Sequence, residues 1–225
     1  MALWFAHLEF ADRAARHAAL DRHELAWGAL CCDVDKFTPV ERDVSHYGTE
    51  GLDFPPEEWG PRTGLDAASL RSRRAFLAGY LSHMALDEAW YGWLRGRLAS
   101  VHTGGWTRDT TKAWNLAMDL ELRPGLRLGL NFPFGTEEVL KHLRGFPGQM
   151  MQQAAGAYTA WDGSLEAEGL HPLMQGYARS MHGLAEAEQE RVTRLMEASS
   201  TEELHARCED FVNDAVARFL ASIPL

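Results

Sequence analysis

Gly79-Tyr80-Leu81-Ser82-His83-Met84-Ala85-Leu86-Asp87-Glu88-Ala89-Trp90-Tyr91 is the stretch whose reading decides the fold. It lies in a proline-free run, residues 66 to 98, with apolar residues at helical spacing. Residues three and four apart share a helix face, so His83 and Asp87 fall on one stripe with Phe76, Tyr80, Trp90 and Leu94. An imidazole and a carboxylate in the middle of an apolar face require an account, because an ionised carboxylate without a partner is costly to bury. Three arrangements are open: the two pair with each other, they meet a buried polar partner, or they share a cation.

The flanking chain has the same helical character. Leu3 to Leu20 places Leu3, His7, Phe10, Ala11, Ala14 and Ala18 on one side and Glu9, Asp12, Arg13 and Arg16 opposite, so His7 is centred on the buried side. Asp21 suits the cap of a second helix reaching Leu30, with Asp33 and Asp35 just beyond its end. Residues 36 to 65, with Pro39, Pro55, Pro56, Pro61, Gly48, Gly51, Gly60 and Gly64, read as a long irregular connection carrying His46. The central helix is expected from Asp66 to Leu98, with Gly79 permitting a close approach one turn before His83. Further helices are expected around 108–122, 136–143, 148–162, 172–198 and 201–222, the last opened by the capping box Ser200-Thr-Glu-Glu203. The fold class is therefore all-α, a single multi-helix domain of seven to nine helices around one long central helix.

Composition narrows the partners. A chain of 225 residues, 46% hydrophobic, holds enough apolar surface for one sizeable core. The formal net charge of −10, without a basic cluster, disfavours extended nucleic acid as a partner. No run of about eighteen apolar residues predicts a transmembrane segment, and Met1 to Glu9 reads poorly as a signal peptide. Cys31, Cys32 and Cys208 lack the spacing of a disulfide framework or a cysteine metal site. A soluble, cytoplasmic protein is expected.

By spacing alone His83/Asp87 is a weak signal. Ten histidines among 32 acidic residues in 225 give between one and two acidic residues at i+4 by chance, and the expected helices carry His17/Asp21, His83/Asp87, His182/Glu186 and His205/Glu209. Position separates them. His182/Glu186 points away from the apolar face of its helix, and His17/Asp21 and His205/Glu209 are expected at the surface.

The order of His7, Asp33, His46, His83 and Asp87 carries more. Ala6-His7-Leu8-Glu9-Phe10-Ala11, then Gly28-Ala29-Leu30-Cys31-Cys32-Asp33, then Ser45-His46-Tyr47, then Gly79 to Asp87, resembles the zinc-dependent phospholipase C family, related to the S1/P1-type nucleases, over residues 1 to 95. The resemblance implies that Asp33, His46, His83 and Asp87 surround one divalent ion, with Asp87 bridging to a second ion held partly by His7. Zn²⁺ suits these donors, and Fe²⁺, Mn²⁺ and Ni²⁺ accept them too. The activity implied is phosphoester hydrolysis by a metal-bound water, with Asp33 as proton acceptor and a small-molecule or lipid phosphoester as substrate. Asp35 and Glu88 are candidates to accept the other N–H of a ligand imidazole, and His182 and Glu186 are candidate extra metal donors. The sequence departs from the family pattern at Cys32, where the motif has proline, and at Trp93, where members with three metals have histidine. A rival expectation is a non-catalytic metal-binding or interaction protein that keeps this framework. Tryptophans at helical spacing, Trp4, Trp27, Trp90 and Trp93 among them, are expected in the core.

Overall fold

The computed structural model describes residues 4–33, 67–101, 114, 115, 122 and 201–223. Five helices make up nearly all of this: α1 (Trp4–Ala18), α2 (Arg22–Cys31), α3 (Ala67–Ser72), α4 (Arg74–Val101) and α5 (Thr201–Ser222). No strand occurs among the described residues, and the all-α class follows. The helices expected around 108–122, 136–143, 148–162 and 172–198 fall largely or wholly outside the described residues, as do Asp66 and Ser200 with their capping roles.

The run expected as one helix from Asp66 to Leu98 is two, parted at Arg73. Arg71, Arg73 and Arg74 crowd like charges at the break, and Leu70 is the last apolar residue before Ala75, so packing does not hold the joint straight. From Ala75 to Asp87 every residue of α4 is buried. A helix buried on all sides is the middle of a bundle, and α4 packs against α2, α5 and α1.

Two glycines set how close α2 and α4 come. A Cβ at Gly28 would lie 2.9 Å from the Phe76 carbonyl carbon and from Tyr80 N, and closer still to Phe76 O. Across the same crossing, a Cβ at Gly79 would lie 2.7 and 2.9 Å from the carbonyl carbon and Cα of Leu25, and closer still to Leu25 O. The backbones therefore touch where no other side chain fits, and the α4 residues that follow Gly79 are brought within reach of the end of α2.

The turn from α1 into α2 is fixed by local chemistry. Ala19 adopts φ 51, and the Leu20 N–H donates to Ala15 O at 3.0 Å, which is the six-to-one bond of a Schellman ending with alanine where glycine is usual. Asp21 then caps α2 as expected, accepting from His23 N and Glu24 N at 2.9 Å each. Buried Asp12 on α1 takes Arg16 at 3.2 Å and Arg22 at the start of α2, tying the two helices. On the other side of α1, Arg13 joins Glu9 and Glu209 of α5 at 2.8 Å each. The aromatic core includes Trp27, Phe76 and Trp90, with Trp90 and Trp93 both packed on Trp114.

Candidate metal centre

His7 comes from the first turns of α1, Asp33 from just past the end of α2, and His83 and Asp87 from successive turns of α4. All four are buried, with exposures of 1, 2, 0 and 8%. The last carbonyls of a helix have no partner within it, and Ala29, in the final turn of α2, offers its oxygen to His83 Nδ1 at 2.6 Å. A carbonyl only accepts, so Nδ1 carries the proton and donates. With Nδ1 held there, Nε2 of His83 is turned toward the acidic residues.

What Nε2 meets is two carboxylates. Asp87 Oδ2 lies 3.9 Å and Asp33 Oδ1 4.0 Å from it, and the other oxygen of Asp87 lies 3.6 Å from His7 Nε2. The rings of His7 and His83 stack with centroids 3.6 Å apart and planes 5° from parallel. These N–O separations exceed the roughly 2.7 to 3.2 Å of a hydrogen bond. Two ligand atoms each about 2.0–2.2 Å from a shared cation stand roughly 3.3 to 3.6 Å apart at a tetrahedral angle; the 3.6 Å separation fits this, and those of 3.9 and 4.0 Å are slightly wider. One donor atom each from His7, His83 and Asp87 lies within 4.8 Å of the others. Two imidazoles with carboxylates form a donor set that Zn²⁺ accepts.

Asp33 is held from behind. Its Oδ2 accepts the indole N–H of Trp4 at 2.9 Å, which leaves Oδ1 toward His83. The preceding residue is anchored too, the Cys32 thiol donating to Tyr80 O at 3.4 Å. Burial pushes the thiols of Cys31 and Cys32 well above their ordinary range and that of Cys208 to about 12, so none of the three offers a thiolate near neutral pH.

The structure therefore brings together His7, His83 and Asp87, and Asp33 joins them on the His83 side. His7 stacks on His83, and Asp87 turns one oxygen toward each ring, the placement in which the resemblance has Asp87 bridge to a second ion held partly by His7. His46, Asp35, His182 and Glu186 lie outside the described residues. Glu88 is exposed on α4, the helical turn carrying it away from the buried face of Asp87, so it does not support a ligand imidazole as expected. Trp93 is buried and stacks on Trp114 with centroids 5.9 Å apart. His17 and Asp21 are exposed as expected, but His205 and Glu209 are half-buried where α5 meets α1, His205 edge-on to Phe10 and Glu209 on Arg13. Trp4 and the Ala29 carbonyl are the contributors that spacing did not single out, although Trp4 stands three residues before His7 and so shares its face. Comparison with protein-family models, with curated protein sequences and with solved structures returns no match.

Proposed function

We propose that the His7, Asp33, His83 and Asp87 cluster binds a divalent cation, zinc by preference, and that the protein is a metal-dependent hydrolase of phosphoesters. The observation that supports this most is the geometry around His83: Nδ1 is committed to the Ala29 carbonyl, and Nε2 faces two carboxylates at 3.9 and 4.0 Å. The substrate class rests on the ordered resemblance of residues 1 to 95 to the zinc-dependent phospholipase C family. A bound divalent ion supplies Lewis-acid activation of water and neutralises the charge that develops on a phosphoryl group. The chain's own residues contribute the rest. His83 and His7 are held in parallel planes as imidazole donors, Asp87 spans both rings with its two oxygens, and Asp33 is the proton acceptor, its orientation set by Trp4. Burial keeps bulk water from competing for these groups.

A second reading, a metal-binding protein without turnover, is favoured by Trp93. The position that holds a histidine in three-metal relatives is filled here by an indole packed on Trp114. Metal analysis of tag-free protein tests the shared premise: about one equivalent or more is expected, and below about half an equivalent, unchanged in His83→Ala/Asp87→Ala, refutes cation binding. Assay of the metal-loaded protein on p-nitrophenyl phosphate, bis-p-nitrophenyl phosphate and phosphatidylcholine then separates the readings. Turnover lost in Asp33→Asn with metal retained supports the hydrolase, and no turnover on any of the three supports the second reading.

A further inference from the structure

We propose that Trp4 determines which cation the cluster prefers, by holding Asp33 so that it offers one oxygen instead of two; this rests on the cation-binding reading above. The indole N–H donates to Asp33 Oδ2 at 2.9 Å, with Trp4 1% and Asp33 2% exposed, so the bond is made away from water. An indole N–H donates and cannot accept or ligate, so Trp4 is no donor to the ion itself. Its effect passes through the carboxylate. With Oδ2 engaged, the carboxylate plane is fixed and Oδ1 is the oxygen presented to His83 Nε2, 4.0 Å away.

One oxygen against two is a distinction that cations feel. Zinc takes four ligands in a tetrahedron and expands to five, so imidazoles with single carboxylate oxygens fill its shell and leave room for a water. Larger, oxygen-seeking cations take more ligands and commonly recruit both oxygens of a carboxylate, and Mn²⁺ belongs to the class served by carboxylate, carbonyl and water. A carboxylate pinned by Trp4 is therefore suited to the first kind and poor for the second. The same helix that delivers His7 carries Trp4 one turn earlier, so α1 supplies a donor and the constraint on a second donor in one rigid piece. Trp4 is a positioning residue, and its signature is a change in selectivity, which a loss of packing does not produce.

The test uses chelator-treated full-length protein, titrated with Zn²⁺ and with Mn²⁺ against a competing chromophoric chelator, in wild type, Trp4→Phe, Asp33→Ala and the double variant. Trp4→Phe keeps an aromatic ring and removes the N–H. Its Zn²⁺ affinity is expected to fall roughly 10- to 100-fold, as for other groups that orient a ligand, with a smaller fall or a gain for Mn²⁺. In the Asp33→Ala background the same substitution is expected to change neither affinity further. Equal Zn²⁺ and Mn²⁺ affinities in wild type and Trp4→Phe, or equal losses for both metals, overturn the role of Trp4 while leaving cation binding intact. Failure of the wild type to bind either metal overturns the cation reading itself.

A measurement on the wild type keeps the proposal testable if Trp4→Phe does not fold. Zn²⁺ bound to Asp33 draws charge from the carboxylate and weakens its hydrogen bond to the indole. Among the eight tryptophan indole N–H signals in a nitrogen-15 NMR spectrum, that of Trp4 is then expected to show the largest upfield proton shift on Zn²⁺ addition. An unmoved Trp4 signal in protein that has taken up zinc overturns the proposal.

Discussion

Gly79→Ala and Gly96→Ala are the same substitution on the same helix, and the structure assigns them opposite outcomes. At Gly96 an added Cβ meets nothing within 4 Å, so the replacement gains alanine's helix propensity, about 0.5–1 kcal/mol. At Gly79 the new atom would lie 2.7 Å from the Leu25 carbonyl carbon, and reaching the 3.4 Å of ordinary contact means α2 and α4 part by about 0.7 Å, with more needed for Leu25 O. The His83 Nδ1 to Ala29 O bond, at 2.6 Å, spans the same pair of helices one turn further on. The same retreat lengthens it to about 3.3 Å or beyond, outside the hydrogen-bonding range. Overpacking of about 1–3 kcal/mol and a weakened buried hydrogen bond of about 1–3 kcal/mol together give a loss of roughly 2–6 kcal/mol. At about 2–4 °C per kcal/mol for a chain of this size, Tm falls by roughly 4–24 °C in Gly79→Ala and rises by a few degrees in Gly96→Ala. Thermal unfolding followed by circular dichroism measures both, and zinc content read at 20 °C reports whether His83 has kept its place. A Gly79→Ala protein melting within about 2 °C of wild type with full zinc content refutes the close-approach account.

Other expectations concern the turn, the α1/α5 face and the metal. Ala19→Gly relieves a left-handed alanine and is expected to stabilise by about 1 kcal/mol, visible as a Tm rise of about 2–4 °C; a fall indicates that Ala19 is not left-handed in solution. His205 has its pKa lowered from the ordinary 6.5, chiefly by burial and then by Arg13, so the fold favours its neutral form. Its contribution is complete above about pH 6.5 and is lost as pH falls through the lowered value, and His205→Phe is expected to flatten the decline in Tm between pH 7 and pH 5. Zinc at about 100 times its dissociation constant is expected to stabilise by about 2.7 kcal/mol, raising Tm by several degrees, and His83→Ala/Asp87→Ala abolishes that increment. A wild-type Tm indifferent to zinc and to chelator contradicts it.

Much of this was legible in the sequence because helices declare themselves locally. The cap at Asp21 depends on a side chain reaching amides two and three residues ahead, and the burial of His7 depends on periodicity within α1; both follow from short-range spacing. Gly79 could be read as a point of close approach, but its partner Gly28 lies 51 positions away, and no local rule pairs them. The site divides along the same line. His83 and Asp87 share a helix face and are visible as a pair, whereas the Trp4 to Asp33 bond spans 29 residues and the acceptor of His83 is a backbone carbonyl, which has no letter in a sequence. The half-burial of His205 was hidden for a related reason: it depends on what α1 covers, and polar side chains at a helix interface carry the same letters as polar side chains in water.

The link between Arg13 and Glu209 joins residues 196 positions apart, and with Leu204, Cys208 and Val212 buried it seats α5 on the bundle. In kinetic terms such a contact is expected to form late, because α1 and α2 are joined by a short turn while Glu209 lies far along the chain from Arg13. Contacts that form after the folding transition state leave the folding rate nearly untouched and set the rate of escape. α5 then acts as a latch on α1, the helix that carries His7 and Trp4. How long α1 stays seated becomes a matter of how slowly that latch opens, decided by an ion pair and a few apolar residues on a helix that supplies none of the grouped His7, His83 and Asp87 side chains.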